Sequence, residues 1–268
     1  MTSSQALVLG VVQGLTEFLP ISSSGHLILV PALLGWPDQG LAFDAAVHLG
    51  TALALLVYFA PELTRLTLGV ATGRRDELAL AAALVVGTVP AALAGLLFEH
   101  AIESYLRSAL VVAVSTIGWG LVLWWADRRA EHARVRELGG IGIPRALGIG
   151  CAQILALVPG TSRSGVTVSA GLFAHLDRPT AARFAFLLGL PLTAGAGLQK
   201  TLSILRHGLG GGETTALGIG LLTSFVTGLV AVWFLIRYLQ RRTLLVFVVY
   251  RIALGLLILG LIGRGAVR

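Results

Sequence analysis

Between Gln13 and His26 the chain reads Gln-Gly-Leu-Thr-Glu-Phe-Leu-Pro-Ile-Ser-Ser-Ser-Gly-His. A carboxylate, three consecutive hydroxyls, a glycine and an imidazole thus stand in an otherwise apolar region, where polar groups are costly unless paired or used. Glu17 follows Gln13 by four residues, so in a helix both project from one face. The carboxylate is a candidate divalent-cation ligand or general base. Gln13 could add a neutral oxygen to the same cation, fix a water, or serve helix packing alone. Ser22, Ser23, Ser24 and Gly25 bring hydroxyls and backbone N–H groups to the start of a helix, which favours anions. Serines also cap helices routinely. A lone histidine is more often structural, but His26 beside three hydroxyls suits a general acid or base, or a phosphoryl acceptor.

A second cluster, Gly160-Thr161-Ser162-Arg163-Ser164-Gly165, adds a cation to a similar nest. Arg163 lies between the apolar segments Ile154–Val158 and Val166–Phe173 and needs an anionic partner. A guanidinium suits bidentate phosphate recognition; a structural bridge to Glu17 is the alternative. His48 and Asp44 rank lower, because residues four apart can pair with each other. His100, His132, His175 and His207 fall in expected loops and receive no role. Two hydroxyl-rich nests, an arginine, a nucleophile–base pair and a metal carboxylate suit phosphoryl transfer, where positioning and charge neutralisation do most of the work. A site at membrane depth implies a lipid phosphate or diphosphate.

The setting is apolar throughout. Of 268 residues 56% are hydrophobic and 12% charged, with a mean hydropathy of +0.86. A soluble domain carries about 25% charged residues, so an integral membrane protein is expected. The net charge of +7 comes without a long basic tract, which argues against nucleic acid. The arginines sit between apolar runs, as positive-inside loops require. Cys151 is the single cysteine, excluding an intramolecular disulfide and a cysteine-rich metal site. No basic stretch precedes the first apolar segment, so no cleaved signal peptide is expected.

A membrane span needs about 20 apolar residues. Segments 4–19 and 27–35 are shorter and are separated by Pro20 to Gly25. Residues 4–35 are therefore expected to form a re-entrant helix–loop–helix with the serines at its tip, tolerated at depth only where it lines a cavity or is buried. Spans follow at 42–60, 78–98 and 108–126, with an arginine-bearing loop between the first two and a solvated linker over 127–145. Residues 146–165 then align with 6–25 without a gap, at an offset of 140. Gln13/Gln153, Ser22/Ser162, Ser24/Ser164 and Gly25/Gly165 coincide. Spans at 181–202, 215–237 and 244–263 complete the second set.

The expected fold is an all-α integral membrane protein, one membrane domain over 1–268, with repeat 1 at about 1–127 and repeat 2 at about 141–268. Each half is a re-entrant helix–loop–helix plus three transmembrane helices. Three crossings per half invert the second repeat, and such proteins form sites near the midplane from broken helices of both halves. Arginine counting places both termini and the mouth of the first hairpin on the extracytoplasmic side.

Gln13-Gly-Leu-Thr-Glu17, Pro20-Ile-Ser-Ser-Ser-Gly-His26 and Pro159-Gly-Thr-Ser-Arg-Ser-Gly165 together resemble the undecaprenyl-diphosphatase family, the bacitracin-resistance phosphatases. The resemblance covers essentially the whole chain. It implies hydrolysis of undecaprenyl diphosphate to the monophosphate and phosphate in the bacterial inner membrane, recycling the carrier lipid for cell-wall polymers, with a divalent cation, magnesium or calcium. By motif position Glu17 resembles the second acidic residue of the family's Glu/Gln-x-x-x-Glu motif. Ser23 resembles the proposed nucleophile, His26 the catalytic histidine and Arg163 the phosphate-binding arginine. Ser22, Ser24, Gly25, Thr161, Ser162 and Ser164 would line the phosphate, and Gln13 with Glu17 would hold the metal. Many members carry Glu at the position of Gln13. The expected mechanism has Ser23 attack with His26 as its base; attack by His26 or by a water is the alternative. The partners implied are a polyprenyl diphosphate and the bilayer, with a homodimer open, and the rival function is a transporter or flippase of a polyprenyl phosphate.

Overall fold

A computed structural model describes residues 1–106, 108–207 and 213–265. Among them the chain is helical, with one isolated bridge between Val135 and Leu176 and no strand. The helices are α1 (Ser3–Phe18), α2 (Ser23–Leu34), α3 (Gly40–Tyr58), α4 (Ala60–Ala71), α5 (Arg75–Leu106), α6 (Ala109–Arg129), α7 (Ile143–Gln153), α8 (Arg163–Phe173), α9 (Arg178–His207), α10 (Glu213–Leu239) and α11 (Leu245–Gly263).

The two short hairpins are present as expected. A Thr2–Gln5 capping box starts α1, and Pro20 forbids its continuation by holding Leu19 extended. The second hairpin runs α7 to α8, its first arm tightening to a 3-10 turn over Ile154–Leu157 before Pro159. Both second arms start from a serine with positive φ, Ser22 at 73° and Ser162 at 72°. The offset of 140 therefore holds in backbone geometry at the tips as well as in residue type.

Close packing of small residues joins the elements. Gly10 and Gly14 of α1 and Gly50 of α3 lie against Gly220, Thr223, Ser224, Thr227 and Gly228 of α10. A Cβ on Gly14 would collide with Thr227 Oγ1 and stand 2.7 Å from the Ser224 carbonyl oxygen. Gly150 of α7 meets the Gly87 backbone of α5 in the same way. Without a hydrophobic force between helices in lipid, such close approach is what binds them. Each hairpin's first arm thus packs on a helix of the other half.

Among the described residues four helices, α5, α6, α10 and α11, contain segments long and apolar enough to cross a membrane. A fifth span requires α3 and α4 together, bent by 67°. The arginine-bearing loop expected between the first two spans is thus largely the helix α4. The 30-residue α9 is long but falls outside this set. It is a central element: Ala181, Ala182, Phe184, Ala185, Phe186, Leu187 and Leu188 are all buried. Thr180 and Thr193 are buried on the same helix, and the part-exposed Arg183 meets Glu62 of α4.

The 127–145 linker exposes its charged side chains from Arg128 to Glu137, but it is anchored rather than freely solvated. Val135, Leu138 and Ile141 are buried, and Asp127 binds Arg178 and the Leu244 amide. His100 and His207 lie within α5 and α9 rather than in loops.

Candidate active site

The two hairpin tips meet. Glu17, in the last turn of α1, accepts from Arg163 Nη2 of the second tip on Oε1, at 2.5 Å. Its other oxygen accepts from Ser23 Oγ at 2.6 Å and from Gln13 Nε2 at 3.1 Å. One buried carboxylate therefore joins α1, the first tip and the second tip. The Arg163–Glu17 bridge foreseen as the alternative to phosphate binding is present. A buried charge requires such a partner, and the guanidinium is held further by the Gly189 carbonyl at 3.1 Å and Thr193 Oγ1 at 2.5 Å on α9.

Gly189 is there because of that guanidinium. A Cβ at this position would stand 3.3 Å from Arg163 Cζ. A narrow cleft beside the pair is lined by the polar Glu17, Arg163 and Ser164, by Gly189, and by the apolar Phe18, Leu55, Ala185 and Phe186.

The hydroxyls follow the repeat. Ser22 Oγ and Ser24 Oγ are 3.3 Å apart, and Ser162 Oγ and Ser164 Oγ 3.1 Å. Ser162 also caps α8 by accepting from the Gly165 amide, and Ser164 donates across the junction to the Leu19 carbonyl. Ser23 is half-buried and Ser24 exposed, while Ser22 and Thr161 are buried. Gly25 packs beside Val112 of α6.

His26 is not where the expected base should be. Its Nδ1 bonds the Ser22 carbonyl at 2.7 Å and its Nε2 bonds Tyr250 OH at 2.6 Å. The hydrogen bond of Ser23 goes to Glu17 rather than to His26. His48 donates from Nδ1 to the Asp44 carbonyl, not to its carboxylate.

Four residues escaped the sequence reading: Gly189, Thr193, Tyr250 and Arg251. Arg251 is fully buried in α11 and donates to the carbonyls of Thr116, Pro20, Gly160 and Thr161. It clamps both tips from behind. Its signal was legible, since an ionisable residue inside an apolar span marks a site by default. Gly189 and Thr193 carried no such mark.

Among the described residues no three His, Cys, Asp or Glu side chains gather around one point. Oxygen donors of the kind a hard cation takes lie here, although Gln13 turns Nε2 rather than Oε1 toward Glu17. Gln13 Oε1 is buried without a hydrogen-bond partner, and a carboxylate with a neutral amide oxygen is the donor type that magnesium and calcium take.

The family profile described as "Bacitracin resistance protein BacA" matches residues 6–257. This chain belongs to the BacA family. It is 47% identical over 261 residues to "Undecaprenyl-diphosphatase 2" of Stutzerimonas stutzeri, covering 95% of this chain and 96% of that protein. It is 45% identical over 264 residues to "Undecaprenyl-diphosphatase" of Alteromonas mediterranea, covering 97% and 98%. A protein of the same name from Trichlorobacter lovleyi is 46% identical over 266 residues, covering 97% of each chain. Within the BacA family, then, the constellation around Glu17 is the feature to be explained.

Proposed function

We propose that this chain is a multi-pass membrane phosphatase that hydrolyses undecaprenyl diphosphate to undecaprenyl phosphate and inorganic phosphate. The observation that carries the reading is the Arg163–Glu17–Ser23 link between the two tips. The names of its relatives favour hydrolysis over the transporter alternative.

Arg163 and the N–H groups at the start of α2 and α8 hold the terminal phosphate, with Ser22, Ser24, Thr161, Ser162 and Ser164 around it. Ser23 Oγ attacks the terminal phosphorus and passes its proton to Glu17 Oε2, the acceptor it already faces. The bridging P–O bond breaks and undecaprenyl phosphate leaves. A water then attacks the phosphorus on the serine, the Ser23 Oγ–P bond breaks, Glu17 returns its proton to Ser23 Oγ, and phosphate leaves carrying the protons of the water. Arg163 neutralises the charge that develops on the transferring group. A divalent cation held by Glu17 and Gln13 would supply further neutralisation of the phosphates.

The inverted plan and the orientation belong to this reading. They are supported by the shared tip geometry, by the packing of each first arm on the other half, and by Arg65, Arg74, Arg75 and the arginines of 127–145. The site then opens to the extracytoplasmic side.

Phosphate release from detergent-purified protein tests the proposal, because hydrolysis needs no second compartment and transport does. Wild type is expected to release phosphate. Ser23→Ala should lose on the order of 10²–10³ in kcat, the scale of one transition-state group, and near-full turnover in that variant rules out serine attack. Chelation should lower the rate and added magnesium or calcium restore it; insensitivity to chelation removes the cation.

A further inference from the structure

The proposed chemistry uses Glu17, Ser23 and Arg163, and leaves His26 with both ring nitrogens occupied away from Ser23. The Ser22 carbonyl accepts from the His26 backbone amide at 3.4 Å but from His26 Nδ1 at 2.7 Å. The imidazole, rather than the helix's own amide, makes the short bond to the turn residue whose φ of 73° few L side chains adopt. A carbonyl only accepts, so Nδ1 carries a proton. In the neutral ring Nε2 is then an acceptor, and Tyr250 O–H is its donor at 2.6 Å. The two rings also stack, with centroids 5.7 Å apart and planes within 11°.

We propose that Tyr250 is a positioning residue of this site: through His26 it fixes the Ser22 turn from which Ser23 is presented. The inference rests on the phosphatase reading above. Tyr250 and Arg251 are consecutive residues of α11 that grip the same tip at two points. Arg251 Nη1 holds the Pro20 carbonyl, while Tyr250 holds the Ser22 carbonyl through the imidazole. Residues 20 and 22 flank the bend, so gripping both removes the freedom of the serine that follows. Tyr250 itself is 42% exposed, beside the exposed Val246 and Val249. It is part-exposed on an apolar helix, while its hydroxyl bonds His26. A tyrosine serving only the membrane interface would point its hydroxyl outward to water.

The test is Tyr250→Phe in the full-length protein purified in detergent, since phenylalanine keeps the stacked ring and removes only the donor. Wild type is expected to show His26 as a single tautomer protonated at Nδ1, read from nitrogen-15 shifts of histidine-labelled protein and assigned by the signal missing in His26→Gln. Tyr250→Phe should keep the proton on Nδ1, held by the Ser22 carbonyl, and move the Nε2 shift as that nitrogen loses its donor. Its kcat for undecaprenyl diphosphate should fall about fivefold, the equivalent of one ordinary hydrogen bond, with KM within twofold and the thermal midpoint unmoved. An unchanged kcat, or an unchanged Nε2 shift, overturns the role of Tyr250. Wild-type protein that releases no phosphate, with the Nε2 shift still moving in Tyr250→Phe, overturns the phosphatase reading instead.

Discussion

Glu17 divides two oxygens among Arg163, Ser23 and Gln13, and the chemistry turns on that division. Replacing it by glutamine leaves the half-buried Arg163 without its counter-charge and Ser23 without its proton acceptor. Glu17→Gln is therefore expected to lose at least as much kcat as Ser23→Ala, measured as phosphate release. Gly189→Ala acts more indirectly. The new methyl group enters the space of the Arg163 guanidinium, and a small misplacement of a phosphate-holding group is costly in rate. A roughly tenfold or larger fall in kcat/KM is expected with little change in thermal midpoint; an unaltered kcat/KM would show that the guanidinium has room to spare. Gln13→Glu adds a second carboxylate beside Glu17. It should lower the magnesium or calcium concentration giving half-maximal activity, as ligand charge raises affinity for such cations.

At the scale of elements, the hairpins are held by contact without side chains. Gly160 has a φ of 85°, and a Cβ there would stand 2.5 Å from the Val112 carbonyl oxygen. Gly14 is equally enclosed against α10. Gly14→Ala is expected to destabilise the protein by about 1–3 kcal/mol, the ordinary cost of overpacking, read as a lowered thermal midpoint in detergent. Gly148→Ala on α7 is the matched control. No atom lies within 4 Å of its added Cβ, so the substitution should be neutral or stabilise by about 0.5–1 kcal/mol, as alanine does in a helix interior. Equal effects at the two positions would exclude close packing as the cause.

For the whole molecule the decisive matter is which side the tips open to. Ser24 is exposed at the first tip. A Ser24→Cys variant in a Cys151→Ser background should react with a membrane-impermeant thiol reagent in intact spheroplasts. Reaction only in inverted vesicles would reverse the orientation. The apparent linker between the halves also matters at this scale. Asp127 ties the end of α6 to Arg178 of α9 and to the Leu244 amide before α11, so the halves are braced at one end as well as at the tips.

Local chain chemistry decides a large part of this protein. Apolar runs of given length, prolines at 20 and 159, and costly polar groups between them dictate broken helices in a bilayer. The gapless offset of 140 shows that the same break is built twice. Helix α4 and the buried anchors of the linker were less legible, because amphipathic and charged stretches look alike whether they fold against protein or stay in water. Pairing is another matter. The penalty for burying Glu17 or Arg163 says that each needs a partner, but not which one. Glu17 meets Arg163 across 146 residues, and His26 meets Tyr250 across 224. Those partners follow from the convergence of the two hairpin tips onto α9 and α11, a matter of three-dimensional proximity that no periodicity or spacing along the chain encodes.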